Sequence, residues 1–315
     1  MCTVTTGHDG EFPIPVRTDT YGCVESQPWD ATPLQPVPGV DDIVLVASGK
    51  GGVGKSTVTV NLACALAAQG LRIGVLDADL YGPSIARMLG TGEGLEHDQE
   101  GRTIPSYAHG VHSVSVANLM PPEAALVWKG PLVAQALLQM FREVAWPSLD
   151  VLLVDLPPGT GDVQLTILEQ IPVTGAVIVS TPQRLALLDA ERGIAMFHGL
   201  DIPVFGLIEN MRGYCCPCCG EEQPLFPKQG LEALCKRRHV PYLAGIPLDP
   251  AAQQLADQGT PLVRALPEAK TSQIFNHLAT QVNQAVDLER RAQLMRSQQQ
   301  TQTGHEQFWE DLLDS

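Results

Sequence analysis

The sequence predicts an α/β fold, in which a mostly parallel central sheet carries helices on both faces. Short runs rich in Val, Ile and Leu alternate with stretches of helical character from residue 41 onward. These runs are apolar at successive positions, as expected of parallel strands that are buried on both faces. Their alternation with helices predicts βαβ units. The strand-like runs are "DIVLVAS", "RIGVLDAD", "DVLLVDLPPG", "TGAVIVSTP", "IPVFGLIEN" and "VPYLAGIPL".

The composition and net charge of the chain argue against some classes of function. The chain has 315 residues and a net charge of −15, which argues against a general binder of nucleic acid or of anionic membranes. We find no signal-peptide pattern and no apolar run of membrane-spanning length, so a cytoplasmic protein is expected. In a reducing compartment, clustered cysteines are more often metal-binding or catalytic than disulfide-bonded.

Three parts are predicted along the chain. Residues 1–40 contain six prolines and little periodicity, which predicts an extended arm. Residues 41–288 form the α/β domain, whose last helix begins near Thr271. Residues 289–315 are expected to be a Gln-rich flexible linker followed by an acidic amphipathic tail. That tail either docks on a partner or packs on its own subunit.

Two glycine motifs overlap in "SGKGGVGKST", between the first strand and the first helix. The dinucleotide motif G-x-G-x-x-G is satisfied, and Asp77 lies near the position of a ribose-binding acid. The longer motif G-x-x-x-x-G-K-[ST] is also satisfied and is more specific, because a dinucleotide fold has no need of Lys55 and Ser56 here. It predicts a phosphate-binding loop; the alternative is a glycine-rich turn without a ligand. The predicted nucleotide-binding residues are Gly49, Gly51, Gly52, Val53, Gly54, Lys55, Ser56 and Thr57.

The chemistry of such a loop assigns roles to individual side chains. Backbone N–H groups and the helix N-terminus surround the phosphate oxygens. Lys55 is expected to reach the β- and γ-phosphates, and the Ser56 hydroxyl to bind Mg²⁺. Asp155 follows four apolar residues in "VLLVD", at the end of a strand. A carboxylate in that position holds Mg²⁺ in nucleotide hydrolases, so Asp155 is the predicted second magnesium residue.

A second lysine, Lys50, lies inside the same loop. The sequence "KGGVGKS" resembles the loop of the deviant-Walker-A ATPases, which include the nitrogenase iron protein and bacterial positioning ATPases. This resemblance implies a homodimer in which Lys50 contacts the partner's nucleotide, where charge develops during phosphoryl transfer. "LDADLYGPS" matches the first switch of that family, which implies that Asp79 orients the attacking water. For Asp77, the alternative to a role at the nucleotide is a structural role as the acid that ends the strand.

Six further stretches are informative: "DADLYGPSIARMLG", "VWKGPLVAQALLQMF", "DVLLVDLPPGTGDVQLTI", "VSTPQRLALLDAERG", "GLIENMRGYCCPCCG" and "GIPLDP". Together they resemble the Mrp/ApbC-type iron–sulfur cluster carrier ATPases, over roughly residues 41–265. This resemblance implies a homodimeric ATPase that takes a [4Fe–4S] cluster from an assembly scaffold and passes it to apo-proteins. It also implies that Asn210 binds the adenine edge.

Four of the eight cysteines lie in "GYCCPCCG". The family motif C-P-x-C-G falls on residues 216–220, so the resemblance implies that Cys216 and Cys219 are the metal ligands. One CxxC supplies two thiolates, and a cubane cluster normally takes four. A symmetric dimer would supply the other two. Cys215 and Cys218 are additional; they either assist the cluster, bind it in an offset register, or are incidental.

Other functions remain open at this point. A zinc ion that bridges two CxxC segments would give a dimeric regulatory or positioning ATPase with the same sequence signature. A positioning ATPase needs a basic surface or tail, and this tail is acidic. An ATP-driven reductase like the nitrogenase iron protein holds its cluster by widely separated cysteines. Cys64 and Cys235 are predicted to be structural core residues.

Overall fold

A computed structural model describes residues 34–80, 82–92, 94, 96–115, 130–215, 221–226 and 230–313. These residues belong to one compact unit that begins at Leu34. Most of the predicted N-terminal arm therefore lies outside the described residues. The strands are β1 (Val40–Ser48), β2 (Ile73–Asp77), β3 (Glu96–His97), β4 (Thr103–Ile104), β5 (Ser106–Ala108), β6 (Val111–Ser115), β7 (Leu149–Asp155), β8 (Gly175–Ser180), β9 (Val204–Cys215), β10 (Glu222–Pro224) and β11 (Tyr242–Leu248). The helices are α1 (Lys55–Ala68), α2 (Ile85–Leu89), α3 (Gly130–Glu143), α4 (Asp162–Gln170), α5 (Arg184–Gly199), α6 (Leu231–Arg238), α7 (Pro250–Asp257), α8 (Leu262–Ala265) and α9 (Lys270–Leu313).

The central sheet is mostly parallel, as predicted. Its strand order is β10-β9-β8-β1-β7-β2-β6-β5, and β11 pairs in parallel with β9. The antiparallel pairs of this sheet are β5 with β6 and β9 with β10, both at its margins. Because β1 lies between β7 and β8, the carboxyl ends of the buried strands meet at the loop after β1. Ligands of open α/β sheets bind at this edge.

Helices cover both faces of the sheet. Strand β1 shows the alternation directly: Ile43 and Leu45 belong to one hydrophobic cluster, and Val44 and Val46 to the other. The first cluster receives side chains from α3, α4, α5 and α6. The second receives them from α1, α2, α8 and α9. A strand that is buried on both faces explains why the sequence runs are continuously apolar rather than alternating.

Helix α9 corrects one prediction. The helix begins at Lys270, as expected, and its residues Leu278, Val282 and Val286 are buried. However, the backbone stays helical to Leu313, so the prediction of a flexible linker from residue 289 is wrong. Residues 289–313 contain no proline and are rich in Gln, Arg, Leu and Glu, which are good helix formers. The Gln-rich composition alone was therefore a misleading signal.

The ion pair that ties α9 to the sheet lies where its buried part ends. The Arg290 guanidinium donates to the Asp42 carboxylate, which is itself buried on β1. Thr174 also donates to Asp42, over 2.9 Å. Beyond this point Leu294 and Met295 are exposed. Within the described ranges, no helix is both long and apolar enough to cross a membrane.

Candidate nucleotide-binding site and cysteine loop

The predicted phosphate loop connects β1 to α1, which is the strand–loop–helix context that its motif requires. Gly52 and Gly54 have φ angles of 78° and 81°, in the left-handed region that favours glycine. A side chain on Gly49 would collide with the backbone of Asp189 in α5. Gly51 and Gly52 are exposed at the top of the loop, and Val53 is buried beneath it. Thr57 is half-buried in the first turn of α1.

Three predicted residues meet at the base of this loop. Lys55 Nζ donates to Asp155 Oδ2 over 2.7 Å, and Ser56 Oγ donates to the same oxygen over 2.6 Å. The register of β1 and β7 explains the meeting, because Val46 pairs with Asp155 just before the loop begins. Asp155 is fully buried and Lys55 is 6 % exposed. The arrangement joins a cation, a hydroxyl and a carboxylate at a helix N-terminus.

Thr59 is a member of this group that sequence reasoning missed. Its hydroxyl donates to Asp155 Oδ1 over 2.6 Å, so both oxygens of the carboxylate are engaged. Thr59 lies four residues after Lys55, which places both side chains on one face of α1. The spacing from Lys55 was the only signal available in the sequence, and the structure shows that Thr59 is fully buried. Its position fixes the rotamer of Asp155.

Two acidic residues, one at the end of β2 and one just after it, lie beside the Lys55–Asp155 pair. Asp79 Oδ2 lies 3.9 Å from Lys55 Nζ. Asp77 is fully buried and pairs in register with Asp155 on β7. Burial, and next the negative charge of Asp155, raise the pKa of Asp77 to about 7, against backbone N–H groups that lower it. The dinucleotide alternative placed Asp77 on a ribose, yet its oxygens accept from the protein's own backbone.

Lys50 lies on the side of the loop that faces α5. Its Nζ donates to Gln183 Oε1 over 3.1 Å, and Gln183 is the residue that precedes α5. Ser48 Oγ donates to the carbonyl of Lys50. The contact is exposed, so the ammonium group lies at the surface of the single chain. Its action on a partner's nucleotide stays a prediction.

Asn210 contacts the phosphate loop from β9. Its Nδ2 donates to the Val53 carbonyl over 2.8 Å, and its side chain packs on Gly54. The residue is 8 % exposed. The family resemblance implies that Asn210 binds adenine, and that role stays a prediction. The contact with the loop depends on strand β9 reaching the same edge of the sheet as β1.

The same strand leads to the cysteine segment. β9 ends at Cys215, and its antiparallel partner β10 begins at Glu222, which pairs with Cys215. Cys216 and Cys219, the predicted metal ligands, lie in the connection between these strands, outside the described residues. Asn210 and Cys215 are five positions apart, which corresponds to about 16 Å along a regular strand. Among the residues that are described, no group of three or more His, Cys, Asp or Glu could hold a metal.

The strand is irregular between these two points. Met211 has a φ angle of 57°, which is uncommon for a residue other than glycine. The register with β11 shifts here, since Ile246 pairs with Asn210 but Leu248 pairs with Tyr214. Bulges of this kind occur next to functional sites. The bulge separates the phosphate-loop contact from the cysteine connection.

Cys64 and Cys235 are buried and free, as predicted for structural residues. Burial raises the pKa of the Cys64 thiol to about 12 and that of Cys235 to about 11. Both thiols therefore stay protonated near neutral pH. This separates them chemically from a metal-binding pair, which must ionise.

Comparison with known proteins agrees with this geometry. A family model described as ParA, the NUBPL iron-transfer P-loop NTPase, matches residues 39–283. The iron–sulfur cluster carrier protein of Escherichia coli K12 is 46 % identical over 245 residues, which cover 78 % of this chain and 66 % of that protein. The chain thus spans just under two thirds of that relative. An Arabidopsis thaliana protein, described as an iron–sulfur protein required for NADH dehydrogenase, is 44 % identical over 78 % of both chains.

Solved structures share the fold. A nucleotide-binding protein of Archaeoglobus fulgidus, in complex with ADP, superposes with a TM-score of 0.62 at 38 % identity, covering 70 % of this chain and 87 % of that one. The cell-division ATPase MinD of Pyrococcus furiosus gives a TM-score of 0.59 at 23 % identity, over 77 % of this chain and 98 % of its own; this likeness shows the fold alone. The chain belongs to the ParA/NUBPL family of iron-transfer P-loop NTPases.

Proposed function

We propose that this protein is a homodimeric ATPase that carries a [4Fe–4S] cluster between two subunits and transfers it to apo-proteins. One observation carries the proposal: the site formed by Lys55, Ser56 and Asp155 is joined to the cysteine connection by the single strand β9. Asn210 on that strand contacts the phosphate loop, and Cys215 ends it. A nucleotide that changes the conformation of the loop would therefore also move strand β9, which leads to the cysteines.

Nucleotide binding is the first step. The N–H groups of the loop and the N-terminus of α1 attract phosphate oxygens. Lys55, now paired with Asp155, exchanges that carboxylate for the β- and γ-phosphates. Asp79, 3.9 Å from the Lys55 ammonium, is close enough to orient a water at the γ-phosphate. Asn210 binds the adenine edge, which favours ATP.

The residues around Asp155 suit Mg²⁺. The ion prefers hard oxygen ligands, and the Ser56 hydroxyl and Asp155 carboxylate are oxygen donors within 2.6 Å of each other. When bound, Mg²⁺ neutralises the charge that develops on the phosphates. Thr59 holds the second oxygen of Asp155 and so keeps the carboxylate turned toward Ser56. No third acid is required for this role, because Mg²⁺ usually keeps several waters.

Dimerisation gives Lys50 its role. The hydrogen bond from Lys50 to Gln183 is exposed, so water can replace either partner and Lys50 is readily released. In the dimer it contacts the partner's nucleotide and stabilises the transition state there. Hydrolysis and assembly are thereby coupled.

The cluster is the cargo. Cys216 and Cys219 of each subunit supply four thiolates across the two-fold axis. The names of the Escherichia coli and Arabidopsis relatives support a role with iron–sulfur clusters. Donors and recipients are then an assembly scaffold and apo iron–sulfur proteins, in the cytoplasm, where thiols stay reduced.

The test is anaerobic reconstitution of the full chain with iron and sulfide. Absorption and Mössbauer spectra, iron and zinc content and mass in solution are measured for the wild type and for the double variant Cys216→Ala/Cys219→Ala. We expect about four irons per dimer, lost in the double variant. Cys215→Ala is the matched control and retains the iron. Zinc in place of iron would indicate a regulatory ATPase with a structural metal, and a monomer without iron would also refute the carrier.

A further inference from the structure

Asp77 divides its two carboxylate oxygens between the two ends of the segment that carries Asp79. Oδ1 accepts the backbone N–H of Asp79 over 3.1 Å. Oδ2 accepts the backbone N–H groups of Ser84 and Ile85 over 3.1 and 3.2 Å. The Ser115 hydroxyl on β6 donates to Oδ2 over 3.2 Å. One side chain thus ties residues 79 and 84 to the end of β2.

The position of Asp77 is costly for a carboxyl group. The residue is fully buried and lies beside the Asp155 carboxylate, and both features disfavour the ionised form of Asp77. Burying an acid next to another acid is unfavourable unless its hydrogen bonds are satisfied. All four donors are neutral: three are backbone N–H groups of this segment and one is the Ser115 hydroxyl on β6. The hydrogen bonds of the Asp77 carboxyl group therefore hold the segment in place.

Capping of α2 accounts for only half of these contacts. Ser84 is the N-cap residue of α2, and its own side chain makes no capping bond, so Oδ2 of Asp77 takes that role. Oδ1 instead holds the N–H of Asp79, five residues before that cap. Asp79 lies outside α2, whose first residue is Ile85, so this hydrogen bond does not cap the helix. The Oδ1 bond serves the placement of Asp79.

We propose that Asp77 is the positioning residue that fixes Asp79 against Lys55 for ATP hydrolysis. The inference rests on the proposed function, in which Asp79 orients the attacking water. A displacement of about 1 Å in such a group lowers rates by about 100-fold, so a clamp at both ends of the segment matters to turnover. Asp77 acts through Asp79 and does not itself touch the nucleotide.

Asp77→Asn tests this role directly. The variant keeps the shape of the side chain but leaves one acceptor oxygen in place of two. Its one carbonyl oxygen can serve either Asp79 or the Ser84–Ile85 end, and its amide group then opposes an N–H donor at the other end. Asp150→Asn is the matched control, since Asp150 also accepts a backbone N–H, from Arg72, far from the loop at the start of β7. Asp79→Asn reports the loss of the water-orienting group.

The experiment measures kcat and KM for ATP, the Kd of a fluorescent ATP analogue, and hydrogen–deuterium exchange of peptides covering residues 78–85. For Asp77→Asn we expect kcat to fall about 10- to 100-fold with Kd within about threefold of the wild type. Exchange should rise in residues 78–85 and stay unchanged in α1. Asp150→Asn should change none of these quantities.

Two results would overturn the inference. One is wild-type kcat with unchanged exchange in a folded Asp77→Asn protein. The other is loss of kcat together with loss of nucleotide binding or global unfolding, which would show a structural role only. If Asp79→Asn itself keeps wild-type turnover, the proposed function of Asp79 fails instead, and the exchange data still decide whether Asp77 holds the segment.

Discussion

Lys55 and Asp155 form a buried ion pair across the phosphate loop, with 2.7 Å between Nζ and Oδ2. The two residues are 100 positions apart in sequence, and the parallel pairing of β1 with β7 brings them together. The same carboxylate accepts from Ser56 and Thr59. Each of these three donors belongs to α1, so the helix and the strand form one rigid unit at the site.

Lys55→Ala should abolish ATP hydrolysis, because the phosphates lose their main cation. It should also lower the free energy of unfolding by about 3–5 kcal/mol, since Asp155 becomes an uncompensated buried charge. Steady-state ATPase assays and urea unfolding check the two effects. Lys236→Ala, on the exposed side of α6, is the control and should change neither. Turnover near the wild-type rate in Lys55→Ala would refute the phosphate-loop assignment.

Thr59→Val should loosen Asp155 without changing the shape of the core. The variant removes the donor to Oδ1, and an unsatisfied buried acceptor costs about 1–3 kcal/mol of stability. We also expect a higher Mg²⁺ concentration for half-maximal hydrolysis, because the carboxylate is less well oriented. Thr59→Ser keeps the hydroxyl and should restore both quantities. Equal magnesium dependence in Thr59→Val and wild type would exclude this orienting role.

Stability should fall as the pH rises through the window in which Asp77 ionises. The pKa of Asp77 is raised to about 7 by burial and by Asp155; its value in the unfolded chain is about 3.9. Between these values the folded state keeps a proton that the unfolded chain has lost, so each pH unit costs up to about 1.4 kcal/mol. Above about 7 this contribution is constant.

Urea unfolding of nucleotide-free protein from about pH 5 to 8 checks this dependence. Asp77→Asn cannot ionise, so its unfolding free energy should lack the decline that Asp77 causes in the wild type. Parallel curves for the two proteins would show that Asp77 does not titrate in this range.

The two structural thiols should resist alkylation in the native protein. Burial raises the pKa of Cys64 to about 12 and that of Cys235 to about 11, and the reactive species is the thiolate. Iodoacetamide at about pH 8, followed by peptide mass spectrometry, should leave both unlabelled until urea is added. Rapid labelling of either residue in the folded protein would contradict its burial.

Local patterns predict much of the candidate site. The spacing of Gly49, Gly54, Lys55 and Ser56 is contiguous in sequence, and a motif of that kind predicts its own loop. Asp155 is predicted in the same way, because an apolar run that ends in an acid is also a local pattern. For the same reason the strands and the start of α9 agree with the structure. The helical continuation of α9 was missed because a Gln-rich composition does not by itself exclude a helix.

The sequence by itself determined the fold class, the phosphate-loop motif and the family, since these depend on periodicity and on contiguous motifs. Only the tertiary structure decided that Thr59 holds Asp155, that Asn210 contacts Val53, and that Asp77 clamps the segment of Asp79. Each of these contacts depends on strand order, register or rotamer. Hydrogen bonds form only within about 3 Å and near-linear geometry, and sequence spacing does not specify such distances between separate elements.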